Sequence, residues 1–70
     1  MNEQEFNRIT DEVKRLGLFG IRTEKTSEGM LITIPEGQIM GYQVNKLQEL
    51  TKGYALSIQA KIQGLLITIW

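Results

Sequence analysis

A chain of 70 residues with no cysteine and no histidine has room for one domain, spanning residues 1–70, whose folding removes only about 60% of its surface from water. The composition excludes disulfides, thiol chemistry, the commonest metal ligand and the commonest neutral-pH acid/base. No catalytic, metal or cofactor-binding residues are therefore expected, and the chain reads as non-enzymatic. Eight basic and eight acidic side chains cancel, which leaves no net field to draw in nucleic acid or an anionic membrane.

The opening MNEQEFNRIT lacks the basic and apolar regions of a signal peptide, and no apolar run reaches the roughly 18 residues of a membrane span. The expectation is a cytoplasmic protein without membrane contact. Phe6, Ile9, Val13 and Leu16 then recur at steps of three and four, one face of a helix over residues 3 to 16. Asn2 and Glu5 have capping-box spacing, and Gly17 suits the position just past the helix end.

From Leu18 to Thr26 the period changes to two, with Phe19, Ile21 and Thr23 on one side and Gly20, Arg22 and Glu24 on the other. TSEG supplies a turn. A second strand follows, with Met30, Ile32 and Ile34 on one face and Leu31 and Thr33 on the other. PEGQ breaks that strand, and Met40, Val44, Leu47 and either Leu50 or Thr51 form a second helical stripe that ends at Gly53. Tyr54, Leu56, Ile58, Ala60 and Ile62 alternate with Ala55, Ser57, Gln59, Lys61 and Gln63. A two-residue turn at Gln63 and Gly64 would pair Ile62 with Leu65, Ala60 with Ile67 and Ile58 with Ile69.

One strand is written twice, as GMLITIP at residues 29 to 35 and GLLITIW at residues 64 to 70. Both copies carry apolar side chains on both faces, the pattern of central strands. The other two strands carry Arg22, Glu24 and Lys25, and Ser57, Gln59 and Lys61, the pattern of guarded edges. The predicted fold is α+β, an ααββ-type two-layer sandwich with chain order αββαββ. It has a four-stranded antiparallel sheet of order 1-2-4-3, with both helices on one face. Two pseudo-repeat units, about residues 2–35 and 39–70, would be related by a twofold axis between the copies.

In that arrangement the helices bury Met30, Ile32, Ile34, Leu65, Ile67 and Ile69. The opposite face presents Leu31, Thr33, Leu66, Thr68 and Trp70, rimmed by Ser57, Gln59 and Lys61. An apolar ridge with a polar rim and a tryptophan has the composition of a protein-binding surface. These five residues are the candidate partner-binding site, and the expected partner is another protein or a second copy of the chain in a homo-oligomer.

Other motifs read as structural. Most of Glu3, Glu5, Asp11 and Glu12 fall on the solvated helix face, and Glu5 is explained by capping and the helix dipole. Arg8 and Arg15 lie at helical steps from Glu12 and can pair with it. PEGQIMG has neither the lysine and hydroxyl of a phosphate loop nor the spacing of a dinucleotide-binding turn, and Ser27 and Ser57 have no histidine to activate them. LITIPEGQ followed by VNKLQELTKG resembles the strand-loop-helix of the small HicA-type ribonuclease toxins over residues 31 to 53. The histidine associated with activity in that family has no counterpart here and a further hairpin follows the helix, so no active residue is carried over.

The expected function is a small non-enzymatic protein-binding module, of the kind found among phage or mobile-element accessory and inhibitor proteins. It would act by steric binding or self-association through the open sheet face. The alternative is a nucleic-acid-binding dimer that gathers Arg22, Lys25 and Lys61 into one surface.

Overall fold

The computed structural model describes residues 1–70. Helix α1 (Glu3–Lys14) begins where the Asn2 side chain accepts the Glu5 backbone N–H at 2.8 Å; it ends two residues before the expected Leu16, with Arg15 as its C-cap, and Gly17 follows the turn at φ 81°. Strands β1 (Arg22–Lys25) and β2 (Met30–Ile34) form a hairpin, helix α2 (Gly41–Leu50) crosses back, and β3 (Leu56–Lys61) and β4 (Gly64–Ile69) form a second hairpin. The sheet is antiparallel throughout, in the order β1-β2-β4-β3. The predicted architecture is the observed one.

The core is one cluster: Ile9 and Val13 from α1, Leu47 from α2, Met30, Ile32 and Ile34 from β2, and Ile67 and Ile69 from β4. Alternation along the strands places all five sheet residues on one face, so both helices cover that face and leave the other open. The buried polar side chains tie the helices to their surroundings. Thr10 donates to Thr23 of β1, Thr51 donates back to the carbonyl of Leu47, and Gln43 donates to the carbonyl of Leu16 at 2.7 Å. No buried side-chain polar atom is left without a partner.

Three further local expectations need correction. The first strand starts at Arg22 rather than Leu18, because Phe19 and Gly20 form a turn with Gly20 at φ 65°. Phe19 consequently swings out, 74% exposed, while Leu18 and Ile21 pack against the core. In α2, Met40 is the exposed residue before the first turn, and the buried line runs Gln43, Leu47, Thr51. Gln43 was not expected inside. Its side-chain oxygen accepts the Met40 N–H at 2.9 Å while its amide reaches Leu16, so both ends of the buried group are bonded.

The third correction concerns register. The β3–β4 turn is Ile62 and Gln63, not Gln63 and Gly64, and Lys61 pairs with Gly64, Ala60 with Leu65, Ile58 with Ile67 and Leu56 with Ile69. The inward face is unchanged, but Ile62 becomes a fully exposed turn residue. The reason lies across the sheet. A Cβ on Gly64 would overlap the carbonyl oxygen of Ile34 and lie 2.8 Å from the Cα of Pro35. Gly64 is therefore a strand residue that lets two backbones approach, not a turn residue.

With this register the two hairpins are equivalent pair by pair. Arg22↔Thr33 recurs as Ser57↔Thr68, Glu24↔Leu31 as Gln59↔Leu66, and Lys25↔Met30 as Ala60↔Leu65. The two copied strings lie antiparallel along their whole length, and Ile32 pairs with Ile67 at the centre. Gly29 repeats the role of Gly64, since a Cβ there would overlap the Ile69 carbonyl oxygen. The register of the four strands is therefore symmetric about the Ile32–Ile67 pair between β2 and β4.

Candidate binding face

The cross-strand pairs arrange the open face in rows. Arg22, Thr33, Leu66 and Gln59 form one row across the sheet, and Glu24, Leu31, Thr68 and Ser57 form the next. Beyond the second row, Trp70 exchanges two backbone hydrogen bonds with Ala55, at 2.8 and 3.1 Å, and its Cα lies beside Gly29. The structure thus brings Leu31, Thr33, Leu66, Thr68 and Trp70 together on the central two strands. The first four are half-buried by their neighbours in the sheet, and Trp70 is 47% exposed.

The face is dented at both ends. One depression, of 510 Å³, lies between Thr26, Ser27 and Glu28 of the first hairpin turn and Ser57, Gln59, Thr68 and Trp70. The other, of 280 Å³, lies between Arg22, Thr33, Lys61, Gln63 and Leu66. Part of the two linings corresponds in register: Ser57 is the counterpart of Arg22, Thr68 of Thr33 and Glu28 of Gln63. The backbone is repeated and the charges are not: one end is basic, the other carries Glu28 and the indole. Lys25 pairs with Met30 and so belongs to the helix-covered side, apart from Arg22 and Lys61. The three-residue basic surface expected for a nucleic-acid binder therefore does not form within one chain.

A second apolar surface was missed in the sequence. Phe19, Met40 and Tyr42, all exposed, line a depression with Leu18, Ile39 and Glu36 between the α1–β1 and β2–α2 connections. The signal was hidden because Phe19 fits the alternation of a strand and Met40 the period of a helix, and only the turn at Gly20 and the start of α2 at Gly41 set both outside.

The acidic residues of α1 take structural roles. The Glu5 carboxylate accepts the Tyr54 hydroxyl and lies 4.0 Å from Arg8. Arg8 also donates to the Leu50 carbonyl, and Arg15 alone pairs with Glu12, at 3.1 Å. Arg8 was expected beside Glu12 and instead ties the start of α1 to the end of α2. The hydrogen bond to Glu5 raises the Tyr54 phenol above its ordinary pKa, with desolvation and the Glu5 charge adding to it and Arg8 opposing. No three carboxylates converge on a common point, and no helix is long and apolar enough to cross a membrane.

No protein-family model matches the chain, and neither the curated proteins nor the solved structures return a match. The resemblance of residues 31 to 53 to the HicA-type toxins accordingly carries no family assignment.

Proposed function

We propose that this chain is a small, non-enzymatic protein-binding module whose working surface is the open sheet face. The observation that carries the reading is the sidedness of the sheet: both helices pack on one face, while the central strands carry Leu31, Leu66 and Trp70 on the other. A ridge of this composition, rimmed by Arg22, Glu24, Gln59 and Ser57, suits steric occupation of a protein surface, a second copy included. Size, net neutrality and the lack of histidine and cysteine suit an accessory or inhibitor protein of a phage or mobile element, acting without chemistry of its own.

The test is the molar mass by light scattering on a sizing column, across a concentration series, for the wild type and Trp70→Glu. Where the partner is a second copy, the wild type associates and the variant does not, both with the same far-UV circular dichroism; a wild type that stays monomeric leaves the face to a different protein. Association that Trp70→Glu leaves intact contradicts the reading.

The meeting of Arg22 and Lys61 in one depression favours a second reading, a dimer that binds nucleic acid. Binding of labelled single- or double-stranded oligonucleotides that falls steeply between about 50 and 200 mM salt would support it. Salt-indifferent association lost in Trp70→Glu supports the protein-binding reading.

A further inference from the structure

On the open face, Arg22 lies in one row and Glu24 in the next. Resting on the reading above, we infer that the occupant is a second copy of this chain, docked sheet to sheet about a twofold axis that runs across the strands, so that Arg22 of each copy meets Glu24 of the other.

Arg22, Thr33, Leu66 and Gln59 lie on one side of the middle of the face, and Glu24, Leu31, Thr68 and Ser57 on the other. A twofold axis in the interface, perpendicular to the strands and midway between these rows, lays each row on the other row of the partner copy. Arg22 then falls on Glu24, Thr33 on Leu31, Leu66 on Thr68 and Gln59 on Ser57. Trp70 falls on the Gly64 position, at the depression lined by Arg22, Thr33, Lys61, Gln63 and Leu66. Every contact is reciprocal, as an isologous interface requires.

Because each chain has its own pseudo-twofold axis through Ile32 and Ile67, a second arrangement fits the backbone equally well, with the dimer axis along the strands. There Trp70 falls on the Gly29 position, but Arg22 meets Gln59 and Glu24 meets Ser57. The charges break the degeneracy. None of the three ion pairs within the chain involves Arg22 or Glu24, and only the first arrangement supplies each with an opposite charge. Glu28 and Lys61 lie at the ends of the face, outside the two central rows, and stay in solvent.

The area fits a modest interface. Four strands about 4.8 Å apart and six residues at about 3.4 Å each give a face of roughly 20 by 20 Å. Two such faces meeting remove on the order of 1,000 Å² from water, close to the lower bound for specific association. The dimer should therefore form and dissociate over an accessible concentration range, with charge complementarity setting its orientation.

The experiment uses two charge reversals on the edge strand, Arg22→Glu and Glu24→Arg. Light scattering should show a concentration-dependent dimer for the wild type and at least about tenfold weaker association for each variant alone. An equimolar mixture of the two variants should recover the dimer, because Glu at position 22 of one then meets Arg at position 24 of the other. Recovery also shows that both variants are folded. Loss in each variant without recovery on mixing, or no loss in either, overturns the orientation. A wild type that is monomeric at every concentration overturns the second copy as occupant while leaving the face to a different protein. A dimer that survives Trp70→Glu overturns the inference and the binding reading together.

Discussion

Gly29 and Gly64 are the residues on which the doubled hairpin depends, since each allows a central strand to approach its neighbour's backbone where a Cβ would overlap a carbonyl oxygen. Gly29→Ala is expected to cost about 1–3 kcal/mol as an overpacked contact, and Gly64→Ala more, because Gly64 also has φ 128°. Gly41→Ala is the control: it lies in the first turn of α2 with open space around it and should gain about 0.5–1 kcal/mol. Urea titration of the three variants gives the ranking, and equal loss at Gly29 and Gly41 would contradict it. Locally, Gly64 reads as a hairpin turn residue, because permissive backbone and close approach look alike when only sequence neighbours are visible. The carbonyl that forbids a side chain there belongs to Ile34, on another hairpin.

Tyr54 adds a pH dependence at the same scale. Its folded pKa lies above the ordinary value of 10.0, because the hydroxyl donates to Glu5. The unfolded chain therefore loses this proton first as pH rises, and the contribution of the bond is fully present below pH about 10 and lost as pH climbs through the folded pKa. The stability difference between wild type and Tyr54→Phe should be constant from pH 7 to about 9 and shrink above 10. Denaturation titrations of the pair at each pH provide the check, and a gap that widens in alkali would contradict the assignment.

Individual elements were legible to very different degrees. The strings MLITI and LLITI carry their burial in their spelling, because apolar residues on both faces mark central strands, and the edge charges settle the order 1-2-4-3. Element ends were harder. Leu18 to Ile21 alternate as a strand does, yet a left-handed glycine makes a turn of them. The polar Gln43 gave no apolar signal, although its amide satisfies groups at both helix ends. The two sheet faces should also differ in their response to substitution. Ile67→Ala or Ile32→Ala should cost about 2–5 kcal/mol, a large share of a total stability of roughly 4–10 kcal/mol. Leu66→Thr, on the open face, should cost under about 1 kcal/mol in the monomer. Urea denaturation at concentrations too low for association separates the two, and the reverse ranking would contradict the assignment of faces.

Taken whole, the molecule is a pair of equivalent hairpins under two helices that do not repeat as closely. The first hairpin keeps Arg22, Glu24 and Glu28, and the second replaces them with Ser57, Gln59 and Gln63. The five residues of the candidate face were readable as a set because alternation and strand order suffice to gather them. Their grouping into complementary rows was not, since it depends on a register fixed by contacts across the sheet. Binding through this face has a built-in reporter: Trp70 is the only tryptophan and lies on the face, half exposed. Its emission and its quenching by acrylamide can be followed from dilute to concentrated protein alongside the molar mass. Burial of the indole in the contact should give a shift to shorter wavelength and reduced quenching in step with association. A mass that doubles while the indole stays equally accessible would contradict it, because the contact would then lie elsewhere on the molecule.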